Sequence, residues 1–200
     1  MIETILQIKD RILDNAIIFN LVRSMTDSRN LILDMIKEEL NAAANEKILD
    51  VGCGLGNFSE VTHGYYTGID MNTSFIKFAK KHYGNNNKIF MAMDAKKLNF
   101  KDKSFDKSLF ISMLHFFSDN DNEKVLKEIM RVTKKFLIVL DLIPTERPHV
   151  NFLYKMNRGH YIRALDKQLR LIRKYFKIER YSIHEESMFN YSLIVCKPLK

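Results

Sequence analysis

Hydrophobic residues recur with a helical period in the first forty positions of the chain. One segment follows Asp27 or Ser28, either of which can cap a helix, and contains no glycine or proline. Its apolar face has the i, i+3, i+4, i+8 spacing and consists of Ile32, Met35, Ile36 and Leu40. An earlier segment, about 2–22, has its apolar positions at Ile5, Leu6, Ile12, Leu13 and Ile17. We therefore predict two N-terminal helices.

From about residue 46 the pattern changes to short apolar runs that alternate with helical stretches. Helices are predicted between Asn72 and Gly84, after a cap at Asp119, and from about 144 to 176. The predicted strands cover residues 47–51, 66–70, 88–93, 105–111, 136–141, 178–183 and 189–196. This alternation predicts an α/β fold in which a doubly wound, mostly parallel seven-stranded sheet carries helices on both faces.

The first predicted strand runs directly into three glycines. Residues 50–56 read Asp-Val-Gly-Cys-Gly-Leu-Gly, and glycine permits both a sharp turn and close approach of a ligand to the backbone. The following residues can begin a helix whose first N–H groups favour an anionic group. The dinucleotide fingerprint GxGxxG would need a glycine at Asn57, and Asp50 would repel a pyrophosphate. Asp50 instead suits a ligand that carries an ammonium group and a sulfonium.

Acidic residues stand at the ends of three successive predicted strands: Asp50, Asp70 and Asp94. Ligands of parallel sheets bind beyond the carboxyl ends of the strands, so these acids are expected to share one site. An acid about 20 residues beyond the glycine turn can accept hydrogen bonds from both ribose hydroxyls, and Asp70 stands at that distance.

Together these segments resemble the class I S-adenosylmethionine-dependent methyltransferases of the small-molecule, type 11-like branch. The matching residues are 47–59, 66–72, 91–95 and 105–117, in the family's order. The resemblance implies a Rossmann-like methyltransferase fold. It also implies S-adenosylmethionine as cofactor, S-adenosylhomocysteine as its product, and in-line methyl transfer to an O, N or C nucleophile.

The same resemblance implies roles for individual residues. Asp50 and the backbone of the turn would hold the methionine part of the cofactor, and Asp70 would hold the ribose. The glycines of the turn that are expected at the cofactor are Gly52, Gly54 and Gly56. The residues expected at the adenine are Met71, Asp94 and Ala95. Ile111 and Ser112, after the fourth strand, would lie beside the cofactor.

A general base helps an acceptor that must lose a proton, and His115 is the leading candidate because an imidazole transfers protons near neutral pH. A histidine that only bonds its own loop is the competing interpretation. Asp141, His149, His160 and Tyr161 can face an acceptor pocket or serve as caps, packing or surface residues.

Several chemistries lack their residues. No Asn-Pro-Pro-Tyr-like run and no Pro-Cys pair follows the fourth strand, which disfavours methylation of an amino group on adenine or glutamine and of cytosine C5. Cys53 and Cys196 lack the spacing of metal ligands, so no metal is expected, and Cys53 is interpreted as a small packing residue.

Residues 161–176 show an amphipathic helical pattern. The apolar positions are Leu165, Leu169, Ile172 and Phe176, and the basic positions opposite them are Arg163, Lys167, Arg170 and Lys174. This basic helix is either a solvated outer face, which we favour, or a docking surface for RNA phosphates or an anionic substrate.

Length and composition fit one domain of 200 residues with a net charge of +8. It is divided into a helical N-terminal cap (1–45), a cofactor-binding core (46–142) and a helical segment with the last two strands (143–200). No signal peptide and no membrane span are recognised, which predicts a cytoplasmic protein. The oligomeric state stays open.

We favour a methyltransferase with a small-molecule acceptor. A nucleic-acid partner is compatible with the charge but not favoured. The alternatives are an RNA or protein methyltransferase that docks through the basic helix, a non-catalytic cofactor-binding domain, and an NAD-dependent oxidoreductase, against which the glycine spacing and Asp50 count.

Overall fold

A seven-stranded sheet with helices on both faces forms the centre of the computed structural model, which describes residues 28–147, 150, 154, 161–185 and 189–199. The strands are β1 (Lys47–Val51), β2 (Tyr65–Asp70), β3 (Lys88–Ala92), β4 (Phe105–Ile111), β5 (Thr133–Leu142), β6 (Phe176–Glu185) and β7 (Asn190–Pro198). The α-helices are α1 (Ser28–Leu40), α2 (Thr73–Tyr83), α3 (Asp119–Val132) and α4 (Leu165–Arg173).

The strand order is β3-β2-β1-β4-β5-β7-β6. The pairs from β3 to β5 are parallel, whereas β7 is antiparallel to both of its neighbours, β5 and β6. The chain turns outward in opposite directions from β1 and β4, so the switch in strand order lies between these two strands. In an open α/β sheet this is the place where ligands bind.

Two apolar layers cover the sheet because the central strands are buried on both faces. On one face, Ile36 and Leu40 of α1 and Ile76 of α2 pack with Ile48 and Leu109 of the sheet. The opposite face contains the buried side chains of α3 and α4, among them Val125, Ile129, Leu169 and Ile172. The predicted doubly wound, mostly parallel sheet is thereby confirmed.

A buried ion pair joins the end of α1 to the central strands β1 and β4, near the residues where these strands begin. Lys107 Nζ lies 2.8 Å from a carboxylate oxygen of Glu46 and donates to the backbone carbonyls of Leu40 at 2.7 Å and Asn41 at 3.1 Å. These carbonyls are left without intrahelical partners where α1 ends, and a cation there is favourable. Lys135 also reaches Glu46, at 2.7 Å.

Helix boundaries agree with the sequence at two places and differ at a third. The second predicted N-terminal helix is α1, and the Asn72 side chain caps α2 by accepting from the backbone N–H groups of Ser74 and Phe75. The predicted cap Asp119 is wrong, because Ser118 caps α3 by accepting from the N–H of Asp121. The predicted helix 2–22 lies outside the described residues.

The basic helix is shorter than its periodicity predicted. It begins at Leu165, after Ala164, and ends at Arg173, and residues 161–164 are not helical. Phe176 belongs to β6, because its side chain continues the apolar layer of the sheet. Arg163 therefore does not share a helix face with the other cations. In the described part of the chain no helix is long and apolar enough to cross a membrane.

Candidate functional site

The glycine turn joins the end of β1 to a short 3-10 helix, Asn57–Val61. All three glycines adopt left-handed backbone conformations, with φ of 81° at Gly52, 53° at Gly54 and 80° at Gly56. Residues with a Cβ seldom adopt such φ values, which explains the alternating glycines. The carbonyl of Ile69 accepts from the N–H groups of Gly52 and Cys53 at 2.8 and 2.9 Å, so the turn is fixed to the end of β2.

The three glycines face different surroundings. A Cβ on Gly56 would lie 2.8 Å from the Phe90 ring, so this glycine allows close packing of the core. A Cβ on Gly52 would overlap the side chain of Met113. A Cβ on Gly54 would meet nothing within 4 Å. Gly54 is therefore the open position of the turn, where a ligand can approach the backbone.

Asp70 lies directly beneath this open position. Its Oδ2 accepts from the N–H of Gly54 at 3.0 Å, and its Oδ1 accepts from the N–H of Asn72 at 2.8 Å. A carboxylate has about four lone-pair sites and can accept from several donors at once. The predicted acid at the end of β2 is thus placed beside the glycine turn. Met71, the next residue, is 67% exposed.

Asp50 occupies a different environment from the one that its position suggested. It pairs in register with Gly68 of β2 and Leu109 of β4, inside the sheet, and is only 1% exposed. Its carboxylate accepts a short hydrogen bond from the hydroxyl of buried Tyr66. The carboxylate therefore lies in the core below the glycine turn.

The charges of Asp50 and Asp70 also act on Cys53. Burial, followed by these two negative charges, raises the pKa of the Cys53 thiol well above its usual range. A Cβ added to Gly68 would lie 2.8 Å from the Cys53 sulfur, so the sulfur packs closely against this glycine. Cys53 is a protonated packing residue, as the sequence indicated.

The loop after β3 lies along the same edge of the sheet. The N–H of Met93 donates to the carbonyl of Asp70 at 3.1 Å, which brings this loop to the end of β2. Asp94 is half-buried, and its Oδ1 accepts from the N–H of Lys96 at 2.9 Å. Ala95 is buried. Asp94 and Met71 thus lie on neighbouring connections of the sheet.

The chain bends sharply after β4. Ile111, the last strand residue, is buried, whereas Ser112 has a φ of 55°, a strained value for a residue other than glycine. Its N–H donates to the carbonyl of Leu140 at 2.6 Å, which holds the bend against β5. The bend directs the Met113 side chain onto Gly52, on the far side of the switch point.

His115 and Asp141 form a buried pair next to this bend. His115 Nδ1 lies 2.5 Å from Asp141 Oδ1, and the backbone N–H of His115 donates to Oδ2 at 3.3 Å. An ionised carboxylate only accepts, so it places a ring proton on Nδ1, and Nε2 of a neutral imidazole then keeps its lone pair. His115 is 2% exposed and lies against the ring of Phe116. His149 and His160 lie outside the described residues.

Three of the four basic positions predicted on this helix, all except Lys167, form ion pairs with acids. Arg170 lies 2.7 Å from Asp166, and Lys174 lies 2.5 Å from Glu123. Arg163, which the sequence placed on the same outer face, is 8% exposed and bonds to the 114–119 segment. Among the described residues there is also no cluster of three or more metal-ligating side chains.

Sequence reasoning missed three residues of this region: Tyr66, Met113 and Arg163. Tyr66 follows the apolar pattern of β2 and gave no sign that its hydroxyl bonds Asp50. Met113 was seen only as part of the segment after the fourth strand. The helical spacing of Arg163 with Lys167 concealed its burial, which depends on partners more than 40 residues away in the chain.

Residues 49–138, which span β1 to most of β5, match the family described as "Methyltransferase domain". The segment that contains the glycine turn and the first strands of the sheet is therefore similar to methyltransferase domains. It is similar to Sterol 4-C-methyltransferase strm-1 of Caenorhabditis elegans, with 36% identity over 137 residues, or 63% of this chain and 38% of the relative. It is also similar to Fatty-acid O-methyltransferase of Mycolicibacterium smegmatis, with 32% identity over 58% of this chain and 39% of the relative.

The fold of the chain recurs in magnesium protoporphyrin IX methyltransferase from Synechocystis PCC 6803, a structure with bound SAH. The TM-score is 0.68 at 17% identity, over 83% of this chain and 81% of the other. The chain spans about two fifths of the length of the two curated relatives named above.

Proposed function

We propose that this protein transfers the methyl group of S-adenosylmethionine to a small-molecule acceptor. The observation that carries the proposal is the left-handed glycine turn, whose open position, Gly54, donates its N–H to Asp70 at 3.0 Å. Such a turn admits a ligand to the backbone, and an acid at the end of the second strand can accept from ribose hydroxyls. The family match of residues 49–138 supports the same cofactor.

In this proposal each connection at the switch point holds one part of the cofactor. Asp70 accepts from the ribose, and the backbone at Gly52 and Gly54 borders the methionine part. Asp50 acts from below the turn through its charge, since its side chain is buried. The residues that border the adenine are Met71, Asp94 and Ala95. The residues that lie beside the cofactor at the end of β4 are Ile111 and Ser112.

When bound, the cofactor supplies a methyl group that is already activated on a sulfonium. The residues of this chain then have to align the acceptor in line with that bond and exclude water. We propose that His115 takes the acceptor's proton on Nε2, because Nδ1 is held by Asp141. Asp141 fixes the tautomer and the orientation of the imidazole without contacting the acceptor.

A small-molecule acceptor is supported by the relatives, whose names specify a sterol and a fatty acid. Docking of RNA or protein through the basic helix is disfavoured by the ion pairs of Arg170 and Lys174 and by the burial of Arg163. Free cations are what nucleic-acid phosphates require.

Calorimetric titration with S-adenosylmethionine, S-adenosylhomocysteine and NAD tests the cofactor. We expect the first two to bind and NAD not to bind; binding of NAD alone would overturn the proposal.

Transfer of a radiolabelled methyl group to cholesterol, oleate, catechol and total tRNA then tests the acceptor class. Labelling of tRNA alone would favour the RNA alternative. Cofactor binding without transfer to any component of a cell extract would indicate a non-catalytic domain.

A further inference from the structure

Arg163 is a buried cation whose guanidinium makes four hydrogen bonds within the protein. Its Nε and Nη2 reach Asp119 Oδ1 at 2.7 and 2.6 Å. Nη1 donates to the carbonyls of Leu114 at 2.9 Å and Tyr161 at 2.8 Å, and Nη2 also donates to the carbonyl of Phe117 at 2.8 Å. Four of these contacts are hydrogen bonds, and the fifth, from Nη2 to Asp119, is an ion-pair contact. The guanidinium is thus directed at groups of the protein itself.

The acceptors of Arg163 share one location. Apart from Tyr161, which lies two residues away in the chain, they all belong to the segment 114–119 that contains His115. Asn122, fully buried on α3, donates to the same two carbonyls, those of Leu114 at 2.9 Å and Phe117 at 3.0 Å. At each end of the turn around His115, one carbonyl thus accepts from both Arg163 and Asn122.

The segment that contains Arg163 also holds His115 itself. The N–H of Tyr161 donates to the carbonyl of His115 at 3.0 Å, while Asp141 accepts from the N–H and Nδ1 of His115 on the other side. Backbone and ring are thus fixed from two directions. Burial of a guanidinium is costly unless its donors are paired, and here most of the acceptors belong to the segment 114–119.

We propose that Arg163 is a positioning residue, which orients the His115 imidazole toward Asp141 by clamping the carbonyls of Leu114 and Phe117. This inference rests on the proposed function only for its catalytic consequence. The clamp itself is independent of any bound ligand. It assigns a role to a residue that, judged by its spacing alone, belongs to a solvent-exposed basic face.

The test follows the Nδ1 proton of His115 by nuclear magnetic resonance in protein labelled with 15N-histidine, and His115→Gln identifies the signal. In the parent protein, burial and the bond to Asp141 protect this proton from exchange with water. Arg163→Met keeps a side chain of similar length but removes all five donors. We expect exchange to become roughly tenfold faster or more, because the turn opens locally. Arg170→Met, an exposed arginine on α4, is the matched control and should change nothing.

Two results would overturn the proposal. One is a folded Arg163→Met protein in which the His115 proton is as well protected as before. The other is a loss of protection that is equal at His115 and at the amides of β1 and β4, because Arg163 would then support the fold in general. Should Arg163→Met fail to fold, Asp119→Ala removes only the exposed carboxylate partner and should shift exchange in the same direction by a smaller factor.

Calorimetry separates this inference from the proposed function. Arg163 contacts no residue of the glycine turn, so Arg163→Met should bind S-adenosylmethionine within about twofold of the parent affinity. A parent protein that does not bind S-adenosylmethionine would sink the proposed function. The exchange measurement would still decide whether Arg163 positions His115.

Discussion

The side chain of Met113 lies directly over the Cα of Gly52, so the residue after the β4 bend covers the first glycine of the turn. Gly52 also has a φ of 81°. Gly52→Ala should therefore displace Met113, lower the free energy of unfolding by about 1–3 kcal/mol, and weaken S-adenosylmethionine binding. Chemical denaturation and calorimetry measure the two effects.

Gly54→Ala is the matched control for this prediction, since Gly54 is left-handed too but open. It should cost less stability than Gly52→Ala and should still weaken cofactor binding. Combining Gly52→Ala with Met113→Ala should recover part of the lost stability. No recovery would show that the backbone conformation, and not Met113, restricts this position.

Asp70→Ala should weaken binding of S-adenosylmethionine by about tenfold to a hundredfold, because charge-assisted hydrogen bonds contribute about 1.5–3 kcal/mol. Asp70→Asn, which keeps one oxygen, should lose less. Calorimetry gives the affinities, and thermal denaturation corrects for the lost support of Gly54 and Asn72. Asp166→Asn, on the surface of α4, serves as control. Unchanged affinity in Asp70→Ala would mean that the ribose assignment is wrong.

Acid should destabilise the protein through Glu46. Burial alone would raise the pKa of this carboxyl, but hydrogen bonds from Lys107 and Lys135 outweigh it and lower the pKa to about 2. The stabilisation is complete above the unfolded-state pKa near 4.5 and is lost as the pH falls toward 2. A difference of about 2.5 pKa units corresponds to about 3 kcal/mol.

Urea denaturation between pH 6 and pH 2.5 measures this loss. Glu46→Gln should be less stable at pH 6 and should depend less on pH within that window. The exposed acid Glu38 on α1 provides the control variant Glu38→Gln, which should keep the acid dependence of the parent. An equally steep dependence in Glu46→Gln would place the acid sensitivity elsewhere.

His115→Gln should lower the rate of methyl transfer by about a hundredfold or more, because the acceptor loses its proton relay. Affinity for S-adenosylhomocysteine should stay within about twofold, since the glycine turn is untouched. Single-turnover kinetics with the acceptor that is labelled most strongly in the panel measure the rate. A rate close to the parent's would show that alignment alone suffices for the transfer.

Local patterns predicted the framework well. The bounds of β1 and β4 agree with the sequence because each strand ends in buried residues that are followed directly by a turn. Asp70 is the last residue of β2, as predicted, because the apolar run of this strand ends there. Its role at the ribose stays a prediction. Such features depend on neighbours in the chain, which a sequence displays directly.

Partners distant in the chain were not predictable in the same way. Asp50 stands near the end of β1, yet β2 and β4 extend beside it and bury it against Tyr66. Lys107 donates to the carbonyl of Leu40 at the end of α1, which lies 67 residues earlier in the chain. Arg163 fits the helical spacing of the basic residues, but the helix begins only at Leu165, so Arg163 lies outside it. In each case tertiary packing decided the environment of a polar side chain whose local pattern gave no sign of it.

The position of β7 has a consequence for the order of assembly. Residues 190–198 lie between β5 and β6, so β6 has no place in the sheet until a later part of the chain has arrived. Pairing of β5 with β7 joins Leu142 to Tyr191 and is among the most non-local contacts of the sheet. Non-local pairing of this kind is slow. During synthesis, the five parallel strands can therefore pair first, and β6 can join the sheet only after β7 has been made.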